Sequence, residues 1–218
     1  MQEMTRNRIK AAALLLTIFV PITLASFAYR SATTDGNFSG FGSAVNKGNL
    51  IMPPVDVTYL DIRDARGQPI LESFEDIVAR LPNPDDYVAR PWTIIYMHNG
   101  ACDAACGERV HLLRQMHVAL GKHQERVSRY YVDISGGSIP EDTLEHLQYE
   151  FPGMVIAYTE AAKVEQNLAG QGADVAVRSG LILFVDPVGN VMMHYDDSHT
   201  IEEIKSDLDR LLKYSSLG

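Results

Sequence analysis

The sequence predicts a domain of the α/β class, and three observations lead to that prediction. Apolar runs typical of β-strands alternate along the chain with segments whose apolar residues recur at helical spacing. Of the 218 residues, 46% are hydrophobic and 22% are charged, which is the composition of a globular protein and not of a disordered chain. The length suits one domain with an appendage.

The folded part is expected to begin with a β-hairpin and a short helix. Alternating residues predict a strand over Val55–Ile62, and a turn at Ala65–Gln68 would pair this strand with Pro69–Leu71. The apolar spacing over Leu71–Leu81 predicts a short amphipathic helix. This first pair of strands is an N-terminal extension of the main αβ unit.

The remaining elements are predicted from apolar periodicity and from the turn or capping residues at their ends. They are a strand at Trp92–Met97 that is buried on both faces, a helix from Asp103 to Leu120, a strand at Arg126–Ile134, helices at Pro140–Phe151 and Thr159–Leu168, a hairpin of Leu181–Val185 and Val191–Tyr195, and a helix from Thr200 capped by Glu203. A strand–helix–strand unit followed by a hairpin and a closing helix is the element order of a thioredoxin-like α/β fold.

An apolar segment near the amino terminus predicts a single transmembrane helix that precedes the domain. Residues 11–29 carry no charge, and a helix needs about 20 apolar residues to cross a membrane. A cleavable signal peptide has a shorter apolar stretch, so a retained anchor is the better interpretation, although Ser26–Ala28 would suit a cleavage site. The expected organisation is a basic cytoplasmic segment (residues 1–10), the anchor (residues 11–29), a Ser- and Gly-rich tether (residues 30–47) and the domain (residues 48–218).

The charges around this segment predict its orientation and bear on the partners of the domain. Three basic residues precede the segment and one follows it, which places the amino terminus in the cytoplasm and the domain in the periplasm, on the outer side of the inner membrane. The net charge is −9 for the chain and −12 once residues 1–30 are set aside. Because phosphate binding needs clustered Lys and Arg, nucleic acid is not an expected partner.

The two cysteines, Cys102 and Cys106, follow the buried strand at the predicted start of a helix. Positions i and i+4 share one helix face, and the unpaired N–H groups of a helix start stabilise a thiolate. We expect Cys102 to be the exposed nucleophile and Cys106 the resolving thiol. The pair also suits Cu(I), with His98 as a third ligand. Two alternatives remain open: the cysteines are small core residues, or they form an inert disulfide.

Three stretches of the chain resemble the Sco/SenC proteins: Asp64–Pro69, the strand that leads into CDAAC, and the late hairpin GLILFVDPVGN. Those are membrane-anchored, thioredoxin-like proteins that help to insert copper into cytochrome c oxidase. The resemblance covers roughly Gly48 to Lys213. It implies that Cys102 and Cys106 correspond to the copper-binding and redox-active cysteines of that family.

The chain departs from the family pattern at its copper-binding histidine. Counting back from Pro187, that position holds Arg178, and His98 stands four residues before Cys102 instead of directly before it. The cis-proline that typical thioredoxins place before this strand is also absent. We expect Arg178 to lie beside the cysteines, where its guanidinium would stabilise a thiolate and disfavour a metal cation.

These residues are consistent with three functions. The first is a thiol–disulfide oxidoreductase that needs no cofactor and acts on the copper-site cysteines of a partner, either a cytochrome c oxidase subunit or another assembly factor. The second is a Cu(I) carrier that uses Cys102, Cys106 and His98. The third is an assembly factor with a structural disulfide. The missing histidine favours the first or the third function over the second.

Overall fold

The computed structural model describes residues 10, 15–26, 46–137 and 139–215. The chain divides into two compact units, Met1–Val45 and Asn46–Gly218. In the first unit residues 15–26 are helical, and no helix in the described part of the chain is long and apolar enough to cross a membrane. The predicted anchor is described only in part, and residues 1–10 and 30–47 lie almost wholly outside the described ranges. The membrane anchor therefore stays a prediction.

The second unit is built on a six-stranded sheet with the strand order β1-β6-β5-β2-β3-β4. Its strands are β1 (Asn49–Asp56), β2 (Trp92–His98), β3 (Val127–Asp133), β4 (Met154–Tyr158), β5 (Ile182–Val185) and β6 (Asn190–Tyr195). Strands β2, β3 and β4 are mutually parallel. On the other side of β2, each neighbouring pair is antiparallel: β2 with β5, β5 with β6, and β6 with β1. The three parallel strands therefore end along one side of the sheet, which we call the carboxyl edge.

Five α-helices accompany this sheet in the described part of the unit. They are α1 (Phe74–Ala79), α2 (Ala104–Val118), α3 (Glu141–Glu150), α4 (Ala161–Gly170) and α5 (Ile201–Tyr214). Buried residues of α2, α3 and α5 share one core with Ile94 and Tyr96 of β2, and those of α4 share a second core with Ile95 and Met97. Consecutive residues of β2 thus enter different cores, which confirms the prediction of a strand buried on both faces.

The prediction of an N-terminal β-hairpin is wrong. Strand β1 ends at Asp56, whose side chain accepts a hydrogen bond from the Thr58 backbone N–H at 2.8 Å and begins a 3₁₀ turn over Val57–Leu60. The turn ends at Asp61, which takes a left-handed backbone conformation with φ 45°. Strand β1 pairs with β6, and the predicted hairpin is reduced to a single bridge between Arg63 and Pro69. Side-chain capping by Asp56 competes here with the alternating apolar pattern.

Strand β4 was absent from the predicted elements. It extends the sheet beyond β3, with Tyr131 opposite Ile156 in the parallel register. Its five-residue apolar run lies between two helices, and periodicity in so short a run does not separate a strand from a helical segment. The predicted helices, the central strands and the late hairpin are confirmed with boundaries shifted by a few residues.

Candidate functional site

A disulfide bond joins Cys102 and Cys106 just beyond the end of β2, and their Cα atoms are 5.2 Å apart. Cys106 lies in the first turn of α2 and is only 2% exposed, whereas Cys102 is half-buried. The helix begins at Ala104, one residue after the predicted start at Asp103, so Cys102 lies in the loop before it. The reason is Asp103, whose side chain accepts a hydrogen bond from the Cys106 backbone N–H at 2.9 Å and acts as the N-cap. The disulfide therefore ties the preceding loop to the helix.

Two distant segments hold the loop that carries the disulfide. The Gly100 backbone N–H donates to Asp133 Oδ1 at 2.9 Å, and the Asn99 backbone N–H donates to Ser179 Oγ at 2.9 Å. Gly100 itself has a φ of 78°, which a side chain would disfavour. The loop is thus fixed from β3 on one side and from the segment before β5 on the other.

Asp133 is a site residue that the sequence analysis missed. Its carboxylate is fully buried at the end of β3 and accepts hydrogen bonds from the Gly100 N–H, from the Ser135 N–H at 3.3 Å and from the Ser135 hydroxyl at 2.6 Å. An acidic residue at the end of an apolar strand is the feature of the sequence that could have indicated a role for Asp133. The role itself could not be predicted, because its partner Gly100 is 33 residues away in the chain.

His98 is a buried ring at the end of β2 and is 8% exposed. Its Nε2 atom lies 3.1 Å from the Ala101 carbonyl oxygen, so this nitrogen carries the proton and donates. The Nδ1 atom is buried and has no hydrogen-bond partner among the described residues. The ring stacks on Tyr96, with 6.2 Å between ring centroids. His98 therefore packs at the carboxyl edge with one nitrogen available as an acceptor.

Tyr131 lies beneath the disulfide and was also missed by the sequence analysis. It is fully buried, and its hydroxyl oxygen lies 3.9 Å from Cys106 Sγ. Burial raises the pKa of Tyr131, and the nearby Tyr96 and Asp133 raise it further. Burial also raises the pKa of Tyr96, to about 12. Both phenols therefore keep their protons at neutral pH. Because a disulfide sulfur carries no hydrogen, the Tyr131 hydroxyl is the donor in its contact with Cys106 Sγ.

The segment that contains Arg178 lies beside the disulfide loop. Ser179 accepts a hydrogen bond from this loop, and the Gly180 backbone N–H donates to the Met97 carbonyl at 3.0 Å. The exposed Arg178 guanidinium forms an ion pair with Asp196 Oδ2 at 3.5 Å. The effect of Arg178 on a cysteine thiolate stays a prediction.

The histidines near the end of β6 are held by local contacts. His199 Nδ1 lies 2.9 Å from Asp196 Oδ1, and hydrogen bonds from Ser198, together with His199, lower the pKa of Asp196 to about 2. Burial lowers the pKa of His194.

Across the described ranges, no group of three or more His, Cys, Asp or Glu residues is arranged to hold a metal ion. The assignment of Cys102, Cys106 and His98 as copper ligands stays a prediction.

Residues 92–215 match a known protein family. A family model described as "Transmembrane-like, thioredoxin-like, C-terminal domain" matches residues 92–215, which is more than half of the chain. The chain belongs to this family. The matched region of the thioredoxin-like domain begins at β2 and extends past α5, so it contains the disulfide and both neighbouring segments. A search of curated proteins found no match.

Solved structures show how the thioredoxin-like domain relates to Sco proteins. Yeast Sco1 superposes with a TM-score of 0.51 at 13% identity, with coverage of 77% of this chain and 97% of that chain. A SCO1/SenC family lipoprotein from Bacillus anthracis gives a TM-score of 0.47 at 12% identity, with coverage of 74% and 98%. The likeness to yeast Sco1 is one of fold. The predicted Sco-like thioredoxin fold is confirmed.

Proposed function

We propose that this protein is a thiol–disulfide oxidoreductase that acts on cysteines of a partner protein. The observation that carries the proposal is the Cys102–Cys106 disulfide, which joins a half-buried cysteine to a buried one at the carboxyl edge. In the reduced form the Cys102 thiolate attacks a partner disulfide and expels one partner thiolate. Cys106, as a thiolate, then attacks Cys102 in the mixed disulfide, which releases the second partner thiolate and restores the disulfide seen here.

The partner that we propose is a cytochrome c oxidase subunit with copper-site cysteines, or another assembly factor of that oxidase. The resemblance of CDAAC and the GLILFVDPVGN hairpin to Sco/SenC proteins supports this assignment.

The uncharged residues 11–29 and the basic residues before them support an anchor in the inner membrane with the domain in the periplasm. A reporter enzyme that is active only outside the cytoplasm, fused after Gly218, should be active; an inactive, fully expressed fusion would contradict this location.

Replacing Cys106 with serine is expected to trap the partner. Cys102 would still attack the partner disulfide, but the mixed disulfide could not be resolved because the second thiol is missing. Full-length Cys106→Ser protein is produced in its natural host and purified after acid quenching. It should carry a covalent adduct, which dithiothreitol releases and mass spectrometry identifies.

The matched control for this trap is Cys102→Ser, which removes the half-buried cysteine and leaves the buried one. We expect no adduct with this variant, since Cys106 is only 2% exposed. Equal adducts with both variants would contradict the assigned roles. If neither folded variant forms an adduct, the disulfide is structural and the protein belongs to the third class, a non-catalytic assembly factor.

Copper carriage is a second candidate function because His98 is buried with Nδ1 unpartnered among the described residues. Reduction would free two cysteine thiolates in the loop and helix that follow the strand ending at His98, and thiolate and imidazole are ligands that suit Cu(I). Titration of the reduced full-length protein with Cu(I) in the presence of a chromophoric competitor distinguishes the two functions. Stoichiometric binding that Cys102→Ser abolishes and His98→Ala weakens would establish the carrier, whereas the oxidoreductase is expected to bind Cu(I) with no dependence on His98.

A further inference from the structure

The hydroxyl group of Tyr131 has an unusual position for a tyrosine in the centre of a sheet. Its side chain is fully buried in strand β3, on the face that packs against α2. Among the described residues, this hydroxyl forms its hydrogen bond with Cys106 Sγ, at 3.9 Å. A buried hydroxyl group without a partner costs free energy, and the contact with the sulfur offsets part of that cost.

We infer that Tyr131 is a further functional residue of the redox pair: it donates a hydrogen bond to Cys106 Sγ and stabilises the thiolate that forms when the disulfide opens. This inference rests on the proposed thiol–disulfide function. When an external thiolate attacks Cys102, the S–S bond breaks and its electron pair stays on Cys106. Hydrogen bonds to charged groups are stronger than those to neutral groups, so the contact strengthens in the reduced state.

The surroundings of Cys106 make this donor important. The sulfur is shielded from water, because Cys106 is only 2% exposed. The Cys106 backbone N–H, which faces the helix start, is already used by the Asp103 side chain at 2.9 Å. Asp103 and Asp133 both raise the pKa of Tyr131 in addition to its burial, so the phenol stays protonated and donates without losing its proton. Tyr131 is therefore the donor placed to compensate a negative charge on Cys106.

Tyr131→Phe removes the donor and keeps the ring, so it tests the inference directly. The equilibrium constant for reduction of the disulfide should fall on the order of tenfold, because one hydrogen bond to a charged group is lost. Full-length protein would be equilibrated with defined ratios of reduced and oxidised dithiothreitol, and the free thiols would be counted after alkylation. Urea unfolding of the same samples checks that each variant is folded.

Tyr130→Phe is the matched control, since it removes a hydroxyl from the adjacent residue of the same strand. Tyr130 packs against the other core, on the opposite face of the sheet from Cys106. The equilibrium constant for reduction of the disulfide in Tyr130→Phe should equal that of the wild type. An unchanged constant in Tyr131→Phe, or an equal shift in Tyr130→Phe, would overturn the inference. If Tyr131→Phe does not fold, site-specific replacement of Tyr131 with ortho-fluorotyrosine, a stronger donor of similar shape, should shift the constant in the opposite direction, and no shift would overturn it.

The outcome is separable from that of the proposed function. The equilibrium constant is a property of the cysteine pair and needs no partner protein, so it can be measured whether or not Cys106→Ser traps an adduct. A trapped partner together with an unaffected Tyr131→Phe constant would remove the role of Tyr131 alone. A shifted constant without any adduct would keep the Tyr131–Cys106 contact and remove the exchange function.

Discussion

Replacing Asp207 with alanine is expected to lower the free energy of unfolding by about 3 kcal/mol, because three hydrogen-bond donors lose their acceptor. Asp207 lies on α5 and is 1% exposed. Its Oδ2 atom accepts from the backbone N–H groups of Lys47 and Gly48 at 2.7 and 2.9 Å, and from the Tyr195 hydroxyl at 3.0 Å. This carboxylate therefore joins the chain segment before β1, the end of β6 and the last helix. Urea unfolding of the full-length variant measures the loss.

Two variants of the same helix serve as controls for Asp207→Ala. Asp207→Asn keeps one acceptor oxygen, so it should lose less stability than the alanine variant. Asp209→Ala removes an exposed carboxylate paired with Lys205 at 2.6 Å, and such surface pairs contribute less than about 1 kcal/mol. A loss in Asp207→Ala no larger than that in Asp209→Ala would show that the buried contacts do not support the fold.

Replacing Asp133 with alanine is expected to lower the free energy of unfolding by about 2 kcal/mol and to loosen the disulfide loop. The buried carboxylate accepts from the Gly100 N–H at 2.9 Å and from both donors of Ser135. Without it, the loop loses its attachment to β3, while the attachment of Asn99 to Ser179 remains. Urea unfolding reports the stability, and hydrogen exchange of the Gly100 amide should become faster than in the wild type.

Ser135→Ala separates the two consequences of losing Asp133. It removes one donor to the carboxylate but leaves the bond between Gly100 and Asp133 in place. We therefore expect little change in the exchange of the Gly100 amide in Ser135→Ala. Equal exchange rates in Asp133→Ala and the wild type would mean that this hydrogen bond does not hold the loop.

Local patterns predicted most elements of the fold because their signals lie within a few residues of each other. The capping box of Thr200 and Glu203 is present, with the Thr200 backbone N–H donating to the Glu203 carboxylate at 2.9 Å. The continuous apolar run of β2 is buried on both faces. The prediction failed where a single side chain redirects the backbone, as Asp56 does after β1.

The sequence by itself determined that two cysteines stand four residues apart after a buried strand, and that strands and helices alternate around them. Only the tertiary structure decided what surrounds the disulfide. Tyr131 and Asp133 reach Cys106 and Gly100 because β3 pairs with β2 in parallel register, and Ser179 reaches Asn99 because β5 pairs with β2 on its other side. The physical reason is that periodicity reports which face of an element is apolar, whereas strand order and register decide which distant residues meet across that face.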